Sequence, residues 1–489
     1  MKKQLLTAFL AVLLAILLIF TITTVSDTHI YGEIKQTEAT CGEEGRMYRT
    51  CILCGKVEYG EVVPAVPHDF GETIDRIRYE TAYAECSRCK ATEERPYTPP
   101  NGIARLYIEG TPGGTVIPVS FRYVDGEEER SGFAEVRVNG SIDRVAEKPD
   151  YDLSLYSDGG FAVPADFFFG DEVGTVSALT LRANYYDVSG GAWNLGLASL
   201  WENVSASREN LDPNIAALPH LGAESGKPIL FYTNGNFKGV YTLCTPDNES
   251  LYGLNDGRGG AVLYTHTLFG DAPYTVSADG NDIPVTAIFP SDADVYTESF
   301  QGMLDFAAGA DEQAFADGIG TYLDIDAMID YMAYLYALDL RTHDKLFCRF
   351  ITYDGKKWIP SPYALDDGLG RGAAYDKNYP EAALTPSVTE DGISSGLSLS
   401  LYDRIWAHFS DRIAARYLAL RSDVLSAGAV AAAMENKIEG IPEEALNAEF
   451  EEYPDKNRFG NPITQVRADS LSENFAADAF FERFAQGQN

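Results

Sequence analysis

The chain has 489 residues, with 38 Lys and Arg against 73 Asp and Glu, for a net charge of −35. That balance excludes a nucleic-acid binder, whose partner's phosphates demand basic stripes. It suits a protein that meets cations or basic partners. The hydrophobic and aromatic shares, 45% and 12%, are ordinary for folded domains, and the length allows two or more.

The N-terminus reads MKK and then LLTAFLAVLLAILLIFTITTV, uncharged from Gln4 to Ser26. About 20 apolar residues are enough to span a bilayer, and Lys2 and Lys3 would stay on the inner side. The run is longer than a usual signal-peptide apolar region and no A-x-A site follows it. The expectation is an uncleaved signal-anchor over residues 1–26. That makes a single-pass protein of the bacterial cytoplasmic membrane, with the membrane as partner and most of the chain outside.

Residues 27–99 change composition and hold five of the seven cysteines: Cys41, Cys51, Cys54, Cys86 and Cys89. The stretch reads as a degenerate repeat. Each copy opens on His-x-Tyr/Phe-Gly or its near equivalent, at His29 and His68, and carries one Cys-x-x-Cys; the second copy lacks a counterpart of Cys41. Two such hooks with histidines nearby suit tetrahedral Zn²⁺ in a small zinc-ribbon-like β module. Two arrangements stay open: one site of Cys51, Cys54, Cys86 and Cys89, or one site per repeat joined by His29 or His68. Disulfides are the competing reading in an oxidising exterior. A module this poor in large apolar residues needs a staple of one kind or the other. It resembles short Cys/His repeats on secreted proteins of low-GC gut bacteria, which implies spacing or binding.

The Pro-rich run at 96–102 marks a boundary. From Ile103 to Leu181, short alternating segments separated by Gly-Gly and Asp-Gly turns predict strands. A helix is expected over Leu195 to Val204, and a hairpin about Asn234-Gly235. Thr297 to Leu338 reads as mostly helical with breaks near Gly309 and Gly318, and further helices are expected at Asp403–Ala427, Ile441–Phe450 and Ser470–Phe484. Strands first and helices later indicate an α+β domain over 103–489.

Leu323 to Gly370 is the most informative stretch. Asp324 and Asp326 suit a helix N-cap, and Ile325, Met328, Ile329, Met332 and Leu335 follow at helical spacing. A polar segment, Asp339 to Lys345, leads into strands flanking Asp354-Gly355, and the second strand exits at Asp366-Asp367. Helix, polar loop, hairpin and acidic turn is the order in which protein kinases carry their catalytic loop and metal-binding aspartate.

IDYMAYLYAL with TYDGKKWIPSPYALDDGLG resembles the core of the spore-coat protein H (CotH) kinase family. ARLYIEGTPGG, VRVNGSIDRVAEKPDYDLSLY, LTLRANYYDVSGGAWNLGLASL and PILFYTNGNFKGVYTL are similar to further family segments, in the family's order. The resemblance spans roughly Ile103 to Phe484. It implies an atypical two-lobed kinase-like domain using ATP and Mg²⁺ on Ser/Thr of surface or coat proteins.

Residue by residue, the resemblance implies losses. The family's strand acid falls on Thr245, its lysine on Thr265, its loop aspartate on Thr342, its loop asparagine on Phe347, and the first acid of its acidic turn on Ala364. The second acid of that turn is kept as Asp366. Arg137 and Lys148 match basic positions and are the candidates for nucleotide phosphates. Asp339 and Asp344, shifted by three residues, with Asp367, would be the substitutes of an active enzyme. One surviving acid cannot orient a phosphoryl transfer, so a pseudokinase scaffold of the cell surface or spore coat is the preferred expectation. The alternatives are an active atypical Ser/Thr kinase and an adhesin binding peptides or glycans. Cys244 and Cys348 are expected to be buried thiols.

Overall fold

The computed structural model describes residues 2–26, 29–112, 115–139, 147–185, 191–255, 259–265, 272–278, 280–338, 340, 348–363, 365, 388–389, 392–393, 400–454 and 476–486. The chain divides into two compact units, Met1–Arg76 with Glu80–Pro99, and Ile77–Tyr79 with Pro100–Asn489.

The first unit opens with a helix, Lys2–Ser26. Among the described residues no helix is long and apolar enough to cross a membrane. The signal-anchor expectation, and with it the single-pass placement in the cytoplasmic membrane, is corrected on that finding.

The rest of the unit is a structural repeat of two three-stranded antiparallel sheets, Lys35–Gln36, Gly45–Thr50 and Val57–Val63, then Phe70–Arg76, Thr81–Cys86 and Thr92–Arg95. Its buried apolar side chains are small, Cys51, Ala82, Ala84 and Cys86, whereas Ile30, Ile34, Ile52, Leu53, Tyr59 and Ile74 are exposed.

The second unit is mixed α and β, with a seven-stranded closed barrel where a kinase-like two-lobed fold was expected. Round the barrel the strands run Tyr151–Tyr156, Ala178–Arg182, Asn236–Cys244, Gly226–Thr233, Ala104–Glu109, Ile117–Asp125 and Glu128–Val138, which pairs back with the first. Only Gly226–Thr233 with Ala104–Glu109 is parallel. Alternate residues point inward, as a two-residue period demands: Leu106 and Ile108, Val119 and Phe121, Leu153 and Leu155, Leu179 and Leu181, Tyr241 and Leu243 form the barrel core. Asn234 and Gly235 both take positive φ, 49° and 72°, the tight turn expected there.

After the barrel, a five-stranded antiparallel sheet runs Tyr274–Ala278, Asn281–Phe289, Ala261–Thr265, Cys348–Thr352, Ile359–Pro362. Helices Ala192–Ala206, Asp294–Gly309, Ile325–Ala337 and Ser400–Arg421 belong with it in the largest core, around Trp201, Phe300, Tyr331, Tyr334, Trp358 and Tyr417. Asp324 caps Ile325–Ala337 by accepting from the Ala327 amide at 3.0 Å. Asp326, the other expected cap, instead pairs with Arg412. The helix expected from Asp403 to Ala427 is Ser400–Arg421, and a further helix absent from the sequence reading, Ala427–Ile438, starts where Ser426 caps the Ala429 amide.

Candidate functional site

Cysteine ligands in the first unit are set by the turns that end the middle strands. In the first repeat the Cys51 amide donates to Lys56 O at 2.8 Å and Gly55 N to Cys51 O at 2.9 Å. In the second, Cys86 N donates to Ala91 O at 2.8 Å and Lys90 N to Cys86 O at 3.0 Å. Gly55 and Lys90 both sit at positive φ, 74° and 63°. Each Cys-x-x-Cys thus folds into the same tight turn, which directs amides at its first sulfur. The amides of Cys89 and Arg88, with that of Asp69, bring the Cys86 thiol down to about 5 against the opposing effect of burial. Burial pushes Cys51 up, but the amides of Cys54 and Leu53 outweigh it and leave its thiol at about 6. Thiolates are the metal-binding form of cysteine.

Two groups of ligand atoms result, each within 4.8 Å throughout: Cys41, His68, Cys86 and Cys89, and His29, Cys51 and Cys54. Either group can hold a metal ion. Cys54 Sγ lies 3.3 Å from His29 Nδ1 and Cys89 Sγ 3.3 Å from His68 Nδ1. Cys41 Sγ and Cys86 Sγ are 3.9 Å apart, well beyond a disulfide's roughly 2.05 Å. The four-cysteine set of Cys51, Cys54, Cys86 and Cys89 is not brought together. Each Cys-x-x-Cys turn faces the histidine that begins its own repeat, and Cys41, the residue without a repeat counterpart, joins the second group.

In the second unit, the candidates for phosphate contacts are engaged. Lys148 is fully buried and donates to Ala183 O at 2.6 Å, Val240 O at 2.7 Å and Glu449 Oε1 at 2.9 Å. Gly239, at φ 104°, leaves room for that pair, since a Cβ there would meet Lys148 Cε at 3.0 Å and Glu449 Oε2 at 3.1 Å. All three donors of this buried ammonium end on protein acceptors, where a nucleotide phosphate was expected from the sequence. Arg137 is exposed and paired with Asp152 at 3.0 Å, beside a shallow pocket that also contains Thr180 and Asp247.

The two positions that carry the family's strand acid and lysine are closed in as threonines. Thr245 exchanges hydrogen bonds with Ser225, accepting on Oγ1 from its amide at 3.2 Å and donating its own N–H to Ser225 O at 2.8 Å. Thr265 Oγ1 donates to Cys348 O at 3.2 Å. Asp339, Asp344, Asp366 and Asp367, with Thr342, Phe347 and Ala364, lie outside the described residues.

Between these positions runs a buried ionic network that the sequence did not reveal. Arg182 donates to Glu224 at 2.5 and 3.0 Å, and Asn194 Nδ2 donates to the same carboxylate at 2.9 Å. Arg349 is bonded to Asp247 and to Tyr252 Oη, and stacks 3.5 Å from the Tyr363 ring, whose hydroxyl donates to Asp247 at 2.7 Å. Burial raises Asp247, but the Arg349 and Arg182 guanidiniums outweigh it and hold the carboxyl below its ordinary range. Asn194 Oδ1 accepts from the Leu365 amide at 2.9 Å, tying the strand exit before the acidic turn to the helix Ala192–Ala206. The cavity against this network, lined by Trp201, Glu224, Tyr252, Arg349 and Tyr363 among others, measures about 10 Å³, the room of one water. The available signal was a lone arginine in each of two otherwise uncharged strands, Ala178–Arg182 and Cys348–Thr352. Cys244 and Cys348 are buried strand thiols, both raised by burial, Cys348 to about 12.

Comparison with curated proteins gives no match. The family model described as CotH kinase protein matches residues 136–468, more than half of the chain and most of the second unit. The chain belongs to the CotH kinase family.

Proposed function

We propose that the CotH-family domain is a binding scaffold for a surface or coat protein and does not transfer phosphoryl groups. Phosphoryl transfer needs a cation on the nucleotide phosphates and carboxylates on Mg²⁺. The observation that carries the proposal is Lys148, whose three donors all end on protein acceptors. Arg182 and Arg349 are likewise matched to Glu224 and Asp247. Thr245 and Thr265, at the family's acid and lysine positions, add no charge. Mg²⁺ and ATP are not cofactors in this reading, while the N-terminal module holds Zn²⁺ through its thiolates and imidazoles.

The test is incubation of the full chain with ATP and Mg²⁺ or Mn²⁺, alone and with a Ser/Thr-rich acceptor protein, read by intact mass. The expected result is no added phosphate on either. Phosphate incorporation that Asp366→Ala abolishes would overturn the proposal and turn attention to Asp339, Asp344 and Asp367 as an active site.

A further inference from the structure

We infer that the module carries two unequal Zn²⁺ sites. One is a closed site built across the repeats by Cys41, His68, Cys86 and Cys89, and the other an open site of His29, Cys51 and Cys54 that completes its shell with an exchangeable ligand. The inference rests on the zinc reading of the module and adds to it the connectivity and the difference between the sites.

The closed site has the ligand count and chemistry of structural zinc, three thiolates and one imidazole. With Zn–S bonds of about 2.3 Å, a tetrahedron places its sulfurs about 3.7 Å apart. Cys41 Sγ and Cys86 Sγ stand at 3.9 Å, and all four ligand atoms lie within 4.8 Å of one another. Cys41 belongs to the first repeat, yet its loop is pinned to the segment that leads into His68, where the second begins. Val66 N donates to Thr40 O at 3.1 Å, Cys41 bridges Val66 as a parallel pair, and a Cβ on Gly42 would reach His68 Nε2 at 3.5 Å. An ion here joins the two sheets. Nothing else in the unit does so by burial, since its buried apolar side chains among the described residues are only cysteines and alanines, and a small unit without a core needs such a staple.

The open site has three ligands among the described residues. It also has a competing contact. Lys56 Nζ lies 3.2 Å from His29 Nε2. An ammonium only donates, so Lys56 holds this imidazole in a contact that has to adjust when an ion binds beside Cys54 Sγ, 3.3 Å from Nδ1. His68 has no such lysine contact among its described bonds. Fewer ligands among the described residues and a cation against the imidazole make the first site the weaker and faster-exchanging one.

The experiment is metal release from the full chain, loaded with zinc under reducing conditions and then challenged with a chelator. The expected result is two Zn²⁺ per chain, one leaving promptly and the other retained. Cys54→Ser abolishes the prompt phase alone. Cys41→Ser speeds release of the retained ion by about tenfold or more, and Cys41→His, which restores a ligand, slows it again. Because these variants can lose structure, the wild-type chain is also loaded with Co²⁺. Added thiol should change the visible spectrum of the second equivalent bound and leave that of the first unchanged. Two ions released together, with retention indifferent to Cys41→Ser, would overturn the unequal, cross-repeat assignment while leaving zinc binding intact. No zinc in the reduced, loaded chain would overturn the zinc reading and this inference with it.

Discussion

The repeat module and the barrel-containing domain achieve order by opposite means. The module places its large apolar residues, Ile34, Ile52, Leu53 and Ile74 among them, in solvent. What it gathers in matched turns are sulfurs and imidazoles, with Cys51 and Cys86 buried and the others half-buried or exposed. The domain buries whole rows of aromatic and aliphatic side chains in the barrel and around Trp201, Phe300 and Trp358. It also buries charge, but always in pairs: Lys148 with Glu449, Arg182 with Glu224, Arg208 and Arg416 with Asp330, Arg349 with Asp247. The module thus gathers side chains of metal-ligand type, whereas the domain matches its buried charge with its own residues. In the proposed scaffold reading, that matching is what keeps Lys148, Arg182 and Arg349 from a phosphate.

The largest effect that would sharpen this contrast is metal removal. A strong chelator should abolish amide-exchange protection over Gly45–Cys86 and leave protection in the barrel strands unchanged; equal loss in both would break the contrast. Next come the buried pairs. Lys148→Met strands Glu449 and should cost about 3–5 kcal/mol in denaturant unfolding. Adding Glu449→Leu should recover most of that, since an apolar pair of similar volume replaces an ion pair at little cost. No recovery would mean that Lys148 acts through something other than its partner.

Acid is a milder probe of the same feature. Asp247, held low by Arg349 against burial, and Asp125, held low by Lys227 against burial, have depressed folded-state values. Their contribution is fully present above the ordinary carboxylate range and is lost as pH falls through it. Unfolding midpoints of the domain should be level near neutrality and drop below about pH 4, less steeply in Asp247→Asn. The smallest effect belongs to a local device: Asp324→Ala removes the cap of Ile325–Ala337 and should cost about 1 kcal/mol. A loss of several kcal/mol would mean that its 3.7 Å approach to Lys357 matters more than the cap.

Local chemistry made much of this legible in the sequence. Asn234-Gly235 and Asp354-Gly355 marked turns because positive φ restricts the residues that fit. Asp324 marked a helix start because its carboxylate meets an orphan amide. The paired Cys-x-x-Cys marked repeats because a turn of fixed length places sulfurs at fixed positions. What stayed hidden depends on long-range register. Arg349 meets Asp247 across 102 positions and Lys148 meets Glu449 across 301, so Lys148 read as a phosphate contact when it is a buried partner. Cys41 is unmatched in its repeat, but only the folded chain, which brings its sulfur to 3.9 Å from Cys86 Sγ, assigns it to the second group. Barrel closure was equally out of reach, because alternation in seven short strands does not say which edges meet.

The most direct test of the central proposal, that Lys148, Arg182 and Arg349 are matched internally and hold no nucleotide, is calorimetric titration of the full chain with ATP and Mg²⁺. The account predicts no saturable heat at millimolar nucleotide, with the Asp366→Ala variant indistinguishable from the wild type. Saturable, Mg²⁺-dependent binding that Asp366→Ala removes would contradict it.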